Sequence, residues 1–162
     1  MYKRQHYDHF GGTADAAIDS GAEIFISGND SHMLSSRMDS LADFISNESF
    51  KPITEYKEIS EGSEIILDEL KFKVIETPGH TKGSVCYLCN DYIFTGDTLF
   101  ALSMGRTDFP GGNPSEMHKS LLRLAEIKED LNVCPGHNET TTLSFEKRNN
   151  PYLKENPYED LI

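Results

Sequence analysis

The sequence predicts an α/β fold with mixed strand directions, and three observations predict it. Short β-prone runs alternate with amphipathic helical stretches along the chain. Two pairs of runs are separated by only two or three turn-forming residues, the spacing of antiparallel hairpins. Pro-Gly-His occurs twice, each time directly after a β-prone run, where proline ends a ladder and glycine permits a sharp turn. The 162 residues are one domain's worth of polypeptide, able to bury about two-thirds of the unfolded surface in one core, and a single domain over 1–162 is expected.

After Gly11-Gly12 a short helix is expected through Ala17 and Ile18, ended by Gly21 and followed by a buried strand at Glu23-Ile24-Phe25-Ile26. From Ser31 the apolar residues Leu34, Met38, Leu41, Ala42 and Ile45 recur at helical spacing, which predicts a second helix. Residues 64–67 and 70–75 flank Asp68-Glu69 as a hairpin, and 84–88 and 92–95 flank Cys89-Asn90-Asp91 as another. Asn113-Pro114-Ser115-Glu116 is a helix start with an N-cap, a proline at the first position and a glutamate three residues after the cap. Met117, Leu121, Leu124 and Ala125 then form one apolar stripe, giving a helix over 114–128. Leu131 to Cys134 makes a last strand, and a polar helix from Thr140 ends before Pro151.

Fifteen basic residues against 27 acidic ones give a formal charge of −12, a field that repels nucleic acid and anionic membranes. No apolar run approaches the roughly 20 residues of a membrane helix. Cys86, Cys89 and Cys134 are an odd number and too few to staple the fold, which fits a reducing compartment, so a cytoplasmic location is expected. Cys86 and Cys89 have the spacing of a thiolate metal pair but would point to opposite faces of a strand, so buried cysteines are the better reading.

Four of the six histidines lie in short motifs: His6 and His9 bracket Asp8, while His80 and His137 close Pro78-Gly79-His80 and Pro135-Gly136-His137. Asp97 leaves the run Tyr92 to Thr95 through Gly96 in the same manner. Imidazoles and carboxylates brought together at strand ends are the donors of a zinc-type site. His32 and His118 have no such context and read as ordinary helix residues.

On these residues the sequence resembles the metallo-β-lactamase-fold hydrolases, and within them the small glyoxalase II-like (hydroxyacylglutathione hydrolase-like) proteins. The resemblance runs through Arg4-Gln5-His6-Tyr7-Asp8-His9 with Gly11-Gly12, then Pro78 to Ser84, Thr95 to Phe100, and Pro135-Gly136-His137 leading to Glu146 to Tyr152. It implies an αβ/βα sandwich that holds one or two Zn²⁺ ions, with iron as the other metal. One ion falls to His6 and His80, the second to Asp8, His9 and His137, and Asp97 bridges them. The family's opening histidine is replaced by Arg4, whose guanidinium has no lone pair to give. Only three residues precede Arg4, so the sandwich is expected to lack its N-terminal strands. A homo-oligomer would cover the exposed sheet; a fragment of a longer chain and a truncated, non-catalytic remnant are the other expectations.

The implied activity is hydrolysis of a small-molecule acyl thioester, with Asp8 also placed to orient water. An iron persulfide dioxygenase is the alternative, because that class carries a segment similar to Gly105-Arg106-Thr107-Asp108-Phe109. Arg106, Lys147, Arg148 and Tyr152 are candidate substrate contacts. An Arg106–Asp108 ion pair that only orders its loop, and a solvated helix face at Lys147 and Arg148, are the competing readings.

Overall fold

The computed structural model describes residues 7–45 and 50–154, which fall into two compact units, Met1–Ile59 and Ser60–Ile162. Arg4 and His6 lie outside the described residues.

In the first unit a one-turn helix, α1 (Tyr7–Phe10), leads through Gly11-Gly12 into α2 (Thr13–Ser20). Gly21 ends α2 in the left-handed conformation, φ 68°, with its N–H on the Ala17 carbonyl, so the expected glycine stop is present. The strand expected at Glu23–Ile26 is β1 (Phe25–Ser27), and it pairs in parallel with β2 (Lys57–Ile59), which the hydrophobic pattern does not single out. The helix expected from Ser31 through Ile45 is broken. A 3₁₀ turn at Ser31–Leu34 and a single α-turn, α3 (Ala42–Ile45), stand in its place. The intervening serines explain the break: Ser36 Oγ accepts from Asp39 N–H at 3.2 Å, Ser40 Oγ donates to the Arg37 carbonyl, and Leu41 turns left-handed at φ 59°. Local side-chain bonds of this kind compete with the helical ladder. Met38, counted in the apolar stripe, is exposed.

The second unit is built on one sheet of six strands: β3 (Glu64–Leu67), β4 (Leu70–Glu76), β5 (Val85–Cys89), β6 (Tyr92–Gly96), β9 (Asn132–Pro135) and β10 (Thr141–Thr142), in the order β10-β9-β6-β5-β4-β3. All neighbours are antiparallel except β6 and β9, so the mixed sheet follows the expectation. Both expected hairpins form, with Asp68 and Asn90 taking the positive φ their turns need. Between β6 and β9 run a small hairpin, β7 (Leu99–Phe100) with β8 (Ser103–Met104), and helix α4 (Pro114–Ala125).

Asn113 caps α4 as its sequence predicts, with Oδ1 accepting from Ser115 and Glu116 N–H at 3.0 and 3.2 Å. The helix stops at Ala125, three residues short of Lys128, because the Glu126 N–H is shared between the Leu122 and Arg123 carbonyls and tightens the last turn. The final helix, α5 (Leu143–Asn149), starts later than Thr140 because Thr141 and Thr142 first pair with β9. Met117, Leu121 and Leu124 of α4 and Leu143 of α5 pack on Ile93 and Val133 of the central strands, all fully buried. The sheet is thereby clamped on one face, and its carboxyl-end turns are held fast.

Candidate metal centre

Three of the turns that leave this sheet converge. After β4 the chain passes through Thr77-Pro78-Gly79 to His80, and each step is fixed by α4. The Pro78 carbonyl accepts from Ser120 Oγ at 2.7 Å, and the Gly79 carbonyl accepts from Asn113 N–H at 2.8 Å. Gly79 has φ 146°, and a Cβ there would lie 2.3 Å from Met117 Cα, so only glycine lets the turn approach the helix so closely. His80 is buried, and its Nδ1 lies 2.8 Å from the Arg106 carbonyl. A carbonyl only accepts, so the proton resides on Nδ1 and Nε2 presents its lone pair.

β6 ends in Gly96, at φ 48°, and delivers the buried Asp97; β9 ends in Pro135 and delivers His137. The two exits are tied together by Gly136 N–H on the Gly96 carbonyl, 2.8 Å. Beneath them the Thr77 and Thr98 hydroxyls meet at 2.9 Å, joining the strand end that leads to His80 with the one that carries Asp97. Cys86 lies 3.4 Å from Thr77 Oγ1, and burial pushes its thiol up to about 11, so it is a protonated core residue and not a thiolate ligand.

His80 Nε2 stands 3.7 Å from Asp97 Oδ2, and His137 Nε2 stands 3.7 Å from Asp97 Oδ1. These separations exceed hydrogen-bond length. Two donors each about 2.1 Å from a tetrahedral ion are about 3.4 Å apart, so the spacing fits atoms that share a cation. Nε2 of both histidines and Oδ1 of Asp97 are sealed from solvent. Two imidazoles and one carboxyl group form a borderline donor set of nitrogen and oxygen atoms, which suits zinc or iron. The residues therefore fit a divalent metal, and Asp97 offers a different oxygen to each histidine, as a bridging carboxylate does.

A family model described as "Metallo-beta-lactamase superfamily" matches residues 5–137. The chain belongs to the metallo-beta-lactamase superfamily. An uncharacterized protein of Mycobacterium leprae (strain TN) is 31% identical over 158 residues, covering 92% of this chain and 72% of its own length. Hydroxyacylglutathione hydrolase GloC of Haemophilus influenzae is 38% identical over 96 residues, which is 57% of this chain and 45% of that protein, so the chain spans less than half of this relative. Among solved structures, TTHA1623 in a di-iron-bound form superposes with a TM-score of 0.79 at 31% identity, covering 91% of this chain and 73% of that one. ETHE1 from Myxococcus xanthus gives 0.68 at 31% identity, covering 86% and 55%. The mixed α/β architecture is that of the metallo-beta-lactamase fold.

Of the residues singled out by motif in this metallo-beta-lactamase chain, His80, Asp97 and His137 are brought together within the second unit. Asp8 and His9 sit on α1 in the first unit, both exposed. Arg106 pairs with Asp108 at 2.5 Å and lies 3.7 Å over the Phe109 ring, which orders its loop. Lys147 donates to the Ile127 carbonyl just past the end of α4, Arg148 is exposed, and Tyr152 packs against the core. Motif reading overlooks Ser120 and assigns no role to Glu146 or Asn150 within the Glu146 to Tyr152 stretch; all three are buried. The signal is there: Ser120 lies between Met117 and Leu124 on the apolar stripe of α4, and Glu146 falls three residues after buried Leu143 on α5. A polar residue at an apolar register marks a specific hydrogen bond.

Proposed function

We propose that the chain is a metal-dependent hydrolase of a thioester or related acyl bond, of the glyoxalase II type. The observation that carries this reading is the placing of one Asp97 oxygen toward each of two histidines, the buried His80 and the half-buried His137. The match to a hydroxyacylglutathione hydrolase supports the substrate class. A divalent ion, zinc or iron, supplies Lewis acidity when bound: it polarises an acyl carbonyl and makes water nucleophilic near neutral pH. The chain's own residues prepare that chemistry. The Arg106 carbonyl keeps His80 in the tautomer whose Nε2 can ligate, and the Thr77–Thr98 bond fixes the spacing of the turns that carry His80 and Asp97. His6, Asp8 and His9 enter this reading through the sequence motif. A thiolate leaving group, with an ordinary pKa near about 8.5, departs without a dedicated acid. The partner is a small acyl thioester rather than nucleic acid or a membrane; among the described residues no helix is long and apolar enough to cross one.

An iron persulfide dioxygenase is the second reading, favoured by the Gly105 to Phe109 segment and in keeping with the likeness to ETHE1. Elemental analysis of the purified protein, followed by assays with an S-acylglutathione and with glutathione persulfide, separates the two. Bound metal with metal-dependent thioester cleavage is expected. Iron with oxygen consumption on the persulfide selects the second reading, and protein that takes up no metal and turns over neither substrate is a non-catalytic remnant.

A further inference from the structure

The hairpin β7–β8 is too short to hold itself, having two residues in each strand and an exposed Leu102 at φ 54° in its turn. Helix α5 holds it instead. Glu146 is completely buried, and its Oε2 accepts from Leu102 N–H at 2.9 Å and from Asn150 Nδ2 at 2.8 Å; its Oε1 accepts from Thr141 Oγ1 at 2.8 Å. Asn150, equally buried, also turns Nδ2 toward the Ser103 carbonyl at 3.0 Å and the Phe100 carbonyl at 3.3 Å. Both strands of the hairpin and its turn thus end on one side-chain pair. A leucine at 146 would pack on the same stripe without the desolvation cost of a carboxylate, but it would leave the Leu102 N–H without its acceptor.

What leaves the two ends of this hairpin is the metal site. Asp97 lies just ahead of it, and the Gly105 that follows is pressed against Asp97 so closely that a Cβ would fall 1.7 Å from the Asp97 carbonyl oxygen. Gly105 N–H donates to the Thr98 carbonyl at 3.3 Å, and the next residue supplies the carbonyl that receives His80 Nδ1. Phe100 of β7 sets its ring edge-on to the His137 ring, 6.2 Å between centroids. One hairpin therefore touches the support of all three donors.

We infer that Glu146 and Asn150 are positioning residues for the metal ligands, acting through the β7–β8 hairpin; the inference rests on the metal-site reading above. Neither side chain is a ligand. The test measures cobalt(II) absorption and zinc affinity by chelator competition on wild type, Glu146→Gln, Glu146→Ala and Thr141→Val. Glu146→Ala is expected to lose about 10- to 100-fold in affinity, the range for residues that orient ligands, and to change the cobalt spectrum. Glu146→Gln keeps an oxygen for Leu102 and Asn150, and the Thr141 hydroxyl can reverse, so wild-type binding is expected. Thr141→Val removes the donor that does not reach the hairpin and should leave the spectrum unchanged.

Unaltered affinity and spectrum in folded Glu146→Ala overturn the inference while wild-type binding leaves the metal site standing. Wild-type protein that binds neither ion overturns the metal reading itself. If Glu146→Ala does not fold, reciprocity of coupling transfers the test to wild type: zinc must raise hydrogen-exchange protection of the Leu102 amide, and equal protection with and without zinc overturns the inference.

Discussion

His80 and His9 each close a short motif, yet the two are supported in opposite ways. His80 is buried at the exit of a seven-residue strand, with its turn bonded to α4 and its ring bonded to the Arg106 carbonyl. His9 is exposed on the four-residue α1, whose N-terminal turn is tied by Tyr7 N–H to the Ser40 carbonyl and by Tyr7 packing on Phe10 and Phe50. A motif names the donors; the rigidity with which they are presented comes from residues far outside it. Preorganisation of this kind decides how tightly a metal is held.

The largest test of that contrast removes the shared carboxylate. Asp97→Ala deletes the oxygens facing both His80 and His137, and zinc affinity is expected to fall by more than the ~100-fold of an orienting residue. Competition titration measures it, and undiminished affinity would place the metal elsewhere. Next come two glycine substitutions that compare the regions directly. Gly79→Ala must fit a methyl 2.3 Å from Met117 Cα at φ 146° and is expected to lose about 3 kcal/mol or more, whereas Gly12→Ala, at φ −93° and with nothing within 4 Å of the added methyl, should change stability by less than about 0.5 kcal/mol. Urea unfolding of the two variants reads the difference, and equal losses would show that the turn before His80 is no more constrained than the one after α1. Ser120→Ala is smaller still than Gly79→Ala, about 1 kcal/mol for one half-buried hydrogen bond to the Pro78 carbonyl.

Much of this frame was legible in the sequence, because the signals were local. Asn90 and Asp68 at hairpin turns, the Asn113 cap and the strand-ending Pro-Gly-His tripeptides act within a few residues of themselves. The helix expected from Ser31 to Ile45 fails for an equally local reason: hydroxyls at 36 and 40 bond the backbone and compete with a periodicity that was only apparent, since Met38 faces solvent. The supports of the site were harder to see because they act across long stretches of chain. Ser120 reaches Pro78 and Glu146 reaches Leu102 over separations of 42 and 44 residues. Spacing within a motif holds no trace of such bonds; polar residues at apolar registers do.

The smallest expected effect concerns pH and the root of the His80 turn. Arg123 of α4 donates to both Glu61 oxygens, at 2.5 and 3.0 Å, and to the Glu76 carbonyl at 3.1 Å, where β4 ends. Glu61 Oε2 in turn accepts the Glu76 N–H, so one carboxylate and one guanidinium hold the strand end that leads to His80. The bond from Arg123 lowers the Glu61 carboxyl below its ordinary value of 4.5. A carboxyl depressed in the folded state adds stability that is present above its unfolded value and is lost as pH falls through the folded one. Stability should therefore begin to decline below pH 4.5, by less than about 1 kcal/mol because both side chains are over 40% exposed and solvent screens them. In the first unit the exposed Asp15–Lys51 pair raises the Lys51 ammonium, so the stability that this ammonium adds is lost as pH rises through its alkaline titration. Glu61→Gln should flatten the acid limb of the wild-type stability profile and leave the alkaline limb alone. An acid limb unchanged by this substitution would assign the decline to other carboxylates and leave α4 gripping the turn through Ser120 and Asn113.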